Sequence, residues 1–189
     1  TVMAIGSETL VISIVAGVSL KELQHFLGGE QPLLRAMPNT PLAVGAGMTV
    51  ISPGKNAGNA GVELATKIFS SCGSVIELPE SQLDAVTGLS GSGPGYIFVI
   101  IDSMADAGVM AGLPRDIAIK LAAQTVMGSG KMVLESGLHP AQLRDQVTSP
   151  GGTTIAGIAE MEKAGVRAGM MAAVLASMEK SRSFKKDGK

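Results

Sequence analysis

At about Asp84 the spacing of apolar residues in this chain changes, and a change of period within one chain is the strongest constraint on what it can fold into. Before that point the apolar runs are strand-length and alternate with amphipathic helical segments. "TLVISIVAG" (9–17) is a short apolar run ending in Gly, the pattern of a strand buried on both faces as in a parallel sheet. "LLRAMPNTP" (33–41), "GMTVISPG" (47–54) and "SVIELPE" (74–80) read as three further strands with turn residues behind them. Between them, "SLKELQHFLG" (19–28) has Ser19 as N-cap, Glu22 three positions on, Leu20, Leu23 and Leu27 on one face, and Gly28 as its stop. "AGVELATKIFSSCG" (60–73) predicts a second helix with Val62, Ala65, Ile68 and Phe69 inward. Residues 1–80 therefore read as an α/β pattern with helices over a mainly parallel sheet.

Beyond Asp84 every apolar segment is helix-length. "YIFVIIDSMADAGVMAGL" (96–113) is apolar nearly all round, which predicts burial on most faces, with Asp102 and Asp106 a polar stripe one turn apart. "LPRDIAIKLAAQTVMGSGKMVLESG" (113–137) starts near Pro114 and stops at Gly137, with Ile117, Leu121 and Gly128 on one side and Gly128 and Gly130 open to close contact with a neighbour. "HPAQLRDQV" (139–147), "TTIAGIAEMEKAG" (153–165) and "VRAGMMAAVLASMEKSRSF" (166–184) complete an all-helical half, the last with Met170, Val174 and Met178 in line. "KKDGK" (185–189) reads as a solvated tail. The boundary falls at residues 1–82 and 83–189.

Composition narrows the partners. With 189 residues, 46% of them apolar, the chain can bury a core. A net charge of −1 and a charged fraction of 16% leave no basic face for nucleic acid and no polybasic patch for a membrane. The charge-free stretches 36–54 and 85–101 are too broken by Gly, Pro, Ser and Thr to span a bilayer. A single cysteine, Cys72, excludes an internal disulfide, reads as a small core residue on an apolar helix, and fits a cytoplasmic location. The 25 Gly and 11 Met without Trp predict tightly approaching helices, within or between subunits.

The usual catalytic groups are scarce. His25 and His139 are far apart and no Cys/His cluster offers a metal site. "SGSGPG" (90–95) fails as a dinucleotide fingerprint because Tyr96 stands where the third glycine is needed, and as a nucleophile elbow because Ser92 replaces its last glycine. It reads more simply as a flexible turn before a helix. The dense feature is "VTSPGGTTIAGI" (147–158). Glycines in a bend let backbone N–H groups converge, and the helix starting near Thr153 adds its unpaired N–H groups and positive dipole end. Two readings remain open at this point, an elaborate N-cap and a cradle for a small anion such as a carboxylate.

Taken together, "MPNTP" (37–41), "DAVTGLSGSGPGY" (84–96), "GLPRDIAIKLAAQTVMGSGKM" (112–132) and "LRDQVTSPGGTTIAGIAEMEKAG" (143–165) resemble the pyrroline-5-carboxylate reductase family over essentially the whole chain. The resemblance implies a Rossmann-type dinucleotide-binding domain followed by an all-α dimerisation domain like the C-terminal domain of 6-phosphogluconate dehydrogenase. It implies NADPH (or NADH) as cofactor, pyrroline-5-carboxylate as substrate, and a homodimer that can assemble into a larger ring. The strand and Gly-rich turn with which that family begins are not matched, so the chain reads as the later portion of such a protein.

Carried across, Ile14, Val15 and Ala16 correspond to the strand end beside the cofactor, Asn39 to a nearby loop, and Gln146 to a position near the nicotinamide. Glu80 corresponds to a position lining the substrate region. Ser149, Gly152, Thr153 and Thr154 correspond to the substrate loop, the carboxylate resting on loop N–H groups and the Thr154 hydroxyl facing the ring nitrogen as hydrogen-bond partner or proton relay. An imine protonated in solution is already electrophilic, which accounts for the lack of a catalytic His or Lys. Two alternatives remain. A β-hydroxyacid dehydrogenase-like domain would carry a lysine early in the long helix, and 96–111 has none; an inactive oligomerisation module would keep only the apolar helices.

Overall fold

The computed structural model describes residues 5–184; the 185–189 tail lies outside the described residues. It divides into two compact units, one running up to Pro94 and resuming at Ala172, the other Gly95–Met171.

The first unit holds a four-stranded sheet in the order β1-β2-β3-β4, formed by Val11–Ser13, Leu33–Met37, Gly47–Pro53 and Gly73–Glu77. β1 and β2 pair in parallel, as do β3 and β4, whereas β2 and β3 are antiparallel. The exception follows from chain length: Met37 and Gly47 are joined by a loop containing one short 3-10 helix, Thr40–Val44, too short for the crossover a parallel pair requires. β1 is shorter than the 9–17 run predicts, and Val11 and Ile12 are half-buried, because an edge strand has a neighbour on one side only.

Alternation along the strands makes two cores. On one face Leu34, Ala36 and Ile51 pack with Ala65 of α2 (Gly58–Ser70), joined by Val62 and Phe69. Ile68, expected inward, is exposed. Cys72 is half-buried beyond the end of α2, its thiol against the Ile68 carbonyl, and is not a core residue. The opposite face joins Met37 and Val50 to Leu83 and Val86 of α3 (Leu83–Val86).

α1 (Leu20–Leu27) begins and ends where the sequence predicts. Ser19 and Glu22 form a reciprocal capping box and Gly28 closes the helix in the left-handed region at φ +81°. "SGSGPG" is not a flexible turn: α3 continues into a π-helical stretch, Thr87–Gly91, and α4 (Gly93–Met110) starts at once. The C-terminal part of α8 (Val166–Phe184) packs on this stretch so closely that a Cβ on Gly88 would lie 2.6 Å from the Val174 carbonyl oxygen. The buried Ser181 hydroxyl donates to Asp84 at 2.9 Å, and the hydroxyls of Ser92 and Ser177 are 2.7 Å apart.

The second unit is helical. Besides most of α4 and the start of α8 it contains α5 (Arg115–Ser136), α6 (Pro140–Gln146) and α7 (Thr153–Lys163). α4 is not buried on most faces: Ala105 is its one buried residue, and Phe98, Val99, Met104 and Met110 are exposed. Asp106 is likewise exposed and pairs with Arg115. Gly108 allows α4 to approach Ala118 of α5, where a Cβ would stand 3.1 Å away. No helix among the described residues is long and apolar enough to cross a membrane.

Candidate functional site

In the helical unit, α6 and α7 are joined by the loop 147–152. His139 caps α6, its Nδ1 accepting from the Ala141 N–H at 3.2 Å. At the other end the Thr148 hydroxyl donates to the Arg144 carbonyl at 2.6 Å and the Thr148 N–H to the Asp145 carbonyl at 3.1 Å, so the loop leaves the helix in a fixed direction. Gly151 then takes φ +68°, a left-handed conformation that favours glycine. Gly152 donates its N–H to the Ser149 carbonyl at 3.0 Å and stands at the N-cap of α7.

A glycine N-cap has no side chain to satisfy the first turn. Among the described residues no acceptor meets the N–H groups of Thr153, Thr154 and Ile155, and the Thr153 and Thr154 hydroxyls are also without partners. Gly152 is thus an N-cap without a capping side chain, and the first-turn N–H groups face outward. The loop is compact all the same: a Cβ on Gly152 would fall 2.3 Å from Ser149 Oγ. Unpaired N–H groups, the positive end of a helix and two free hydroxyls together suit a carboxylate with a polar atom beside it. Gln146, the last residue of α6, is exposed at the start of the same connection.

In the sheet unit, Ile14 and Val15 follow β1 directly and are 59% and 53% exposed. Because β1 and β2 are parallel, the segment 14–16 and Asn39 both emerge at the carboxyl ends of these strands, the edge where open α/β sheets receive ligands. Asn39 uses both ends of its amide internally, donating to the Ser90 carbonyl at 3.1 Å and accepting from the Met48 N–H at 2.9 Å. It shapes this edge through those two bonds.

Glu80 has equally definite partners. Its Oε1 accepts from the guanidinium of Arg35 at 2.8 Å and from the Leu20 N–H at 2.6 Å. Arg35, in the middle of β2, is 2% exposed, so Glu80 neutralises a charge held inside the sheet unit. The sequence contains a signal for this partner that residue-by-residue reading misses: one arginine within the apolar strand "LLRAM" has to be matched by an acid elsewhere. Ile14, Val15, Ala16, Asn39 and Glu80 thus belong to the sheet unit, and Gln146, Ser149, Gly152, Thr153 and Thr154 to the helical unit.

Residues 80–184 match the family described as "Pyrroline-5-carboxylate reductase dimerisation". A pyrroline-5-carboxylate reductase from Synechocystis is 52% identical over 177 residues, covering 94% of this chain and 66% of that protein. The pea (Pisum sativum) pyrroline-5-carboxylate reductase is 50% identical, with 94% and 64% covered. The chain thus spans just under two thirds of the length of these curated relatives. Among solved structures, the Plasmodium falciparum pyrroline carboxylate reductase with NADP bound is similar at TM-score 0.87 and 38% identity, covering 93% of this chain and 71% of that one. The pyrroline-5-carboxylate reductase of Coxiella burnetii has the same TM-score at 37% identity, with 93% and 65% covered.

Proposed function

The chain belongs to the pyrroline-5-carboxylate reductase family, and from that premise we propose that the protein reduces 1-pyrroline-5-carboxylate to L-proline with NADPH or NADH, the last step of proline synthesis. In this reading residues 1–82 are the later part of a dinucleotide-binding domain and 83–189 a dimerisation and substrate-binding domain. The observation that carries it is the unsatisfied N-terminus of α7 between Ser149 and Thr154. The carboxylate of the substrate accepts from the N–H groups at that terminus, where a negative charge is favoured. The Thr154 hydroxyl meets the ring nitrogen and fixes the face on which the C=N carbon is presented. The nitrogen of a protonated imine already carries its proton, so the hydroxyl orients and relays without acting as a strong acid.

The exposed aliphatic surface of Ile14 and Val15, with Ala16 beside it, suits apposition to a flat ring, and Asn39 holds the neighbouring edge in shape. Gln146 keeps only the role that the family resemblance implies, a polar group near the nicotinamide. Bound there, NADPH supplies the hydride that the imine carbon accepts. The exposed apolar faces of α4 and α5 are covered in a homodimer, the unit from which larger rings are built.

Thr154→Val tests the mechanism. In the full-length protein, pyrroline-5-carboxylate-dependent NADPH oxidation should fall about 100-fold in kcat/KM, the usual scale for one positioned proton-handling group. Sedimentation should be unchanged. Full turnover in the variant removes Thr154 from the mechanism; absence of turnover in the unmutated full-length protein overturns the function.

A further inference from the structure

We infer that Glu80 is a positioning residue for the segment 14–19, whose far end it tethers directly while the near end is held by the pairing of β1 with β2. This rests on the reading of Ile14, Val15 and Ala16 as cofactor contacts. At the near end, Ser13 closes β1 in register with Arg35 of β2. At the far end, Leu20 opens α1 and donates its N–H to the same Glu80 oxygen that accepts from Arg35. A short loop is thus fixed at its start beside Arg35 and at its finish on Glu80.

α1 buries none of its residues completely: Leu20, Leu23 and Leu27 are half-buried, with Leu20 beside Gly54, so the hydrogen bonds at its N-terminus add to a shallow packed face. The capping box satisfies the N–H groups of Ser19 and Glu22, and Glu80 takes that of Leu20, where a carboxylate also favours the helix dipole. Midway along the loop, Gly17 has φ +79°, and a Cβ there would stand 2.5 Å from Cβ of Phe184, so the segment has no room to relax towards α8. Releasing Leu20 therefore loosens the end of the segment that carries the exposed Ile14 and Val15. Glu80 acts on the cofactor through this loop.

The test compares Glu80→Gln and Glu80→Ala in the full-length protein by two measurements. Hydrogen exchange over 14–23 reads the tether, and NADPH titration by fluorescence reads its consequence. Glu80→Ala should speed exchange in this segment and raise the Kd for NADPH, each about tenfold or more. Glu80→Gln keeps an acceptor for the Leu20 N–H and should lie between, which guards against reading general unfolding of an unpaired Arg35 as loss of the tether. Unchanged exchange at 14–23 in both variants overturns the inference. So does a rise in KM for the imine with NADPH affinity intact, since Glu80 would then touch the substrate. Unmutated protein that binds no NADPH overturns the proposed function instead, and the exchange measurement still decides whether Glu80 holds the loop.

Discussion

A methyl group at Gly152 has no place to go while Ser149 keeps its rotamer, since the new Cβ would lie 2.3 Å from the hydroxyl oxygen and 3.2 Å from the carbonyl oxygen of that serine. The hydroxyl can rotate away, so Gly152→Ala should leave stability within about 1 kcal/mol. The displaced hydroxyl then no longer points into the loop. The expected result is a raised KM for pyrroline-5-carboxylate with unchanged thermal unfolding, measured on the same preparation; an unchanged KM would take Ser149 out of the carboxylate site. This loop is legible in the sequence because its parts are contiguous: glycines, hydroxyls and a helix start within a few residues state their own geometry. Arg35 and Glu80 are not legible in that way. They are 45 positions apart, and only the sheet brings the acid to the base.

Elements whose signals are local are the ones sequence reading recovers. α1 shows its capping box and its terminal glycine outright, and both form. The π-helical stretch Thr87–Gly91 has no such local signal, because "SGSGPG" in isolation favours a bend; in the fold α8 packs directly on Gly88. Gly88→Ala tests this directly. The added Cβ meets backbone atoms of α8, at 2.6 Å from the Val174 oxygen and 3.0 Å from the Met178 nitrogen, so the helix must shift. Denaturant unfolding should show a loss of about 1–3 kcal/mol. A loss below a few tenths would mean the two elements adjust freely.

A second element-scale prediction concerns the turn between α7 and α8. Arg167 donates to Glu162 at 2.6 and 3.2 Å, and this hydrogen bonding, then the guanidinium charge, holds the Glu162 carboxyl below its ordinary value of 4.5. A depressed carboxylate value means the pair supports the folded turn above the unfolded value and ceases to do so as pH falls through the folded one. Both groups are solvent-exposed, so the effect is local. Amide exchange across 160–169, corrected for its intrinsic pH dependence, should accelerate in the acid range below that value, and Glu162→Gln should remove the acceleration.

For the molecule as a whole, the helical unit carries large apolar side chains open to solvent: Met110 is 89% and Leu134 84% exposed, with Phe98, Val99 and Met127 also open. The near-absence of charge in 96–113 predicts burial within or between subunits, since periodicity does not distinguish one chain's core from a shared one, and the exposed face of α4 is what the proposed homodimer would cover. Phe98→Glu should weaken the proposed dimer at least about 30-fold, the equivalent of ~2 kcal/mol for a central interface residue. Sedimentation velocity across a concentration series reads this, with circular dichroism showing the helices retained; an unaltered sedimentation profile would take this face of α4 out of the interface.

The return of α8 to the sheet unit has a consequence for synthesis. That unit is completed by residues from Ala172 onward, and its buried Asp84 accepts from the Ser181 hydroxyl. At about 5–20 residues per second, Gly95–Met171 must be translated for several seconds before the closing piece leaves the ribosome. During that interval the residues on which α8 packs, Asp84 and Gly88 among them, are uncovered, so the nascent chain needs chaperone cover after residues up to Pro94 have emerged. Truncation within α8 should therefore yield aggregated protein, not a smaller folded one.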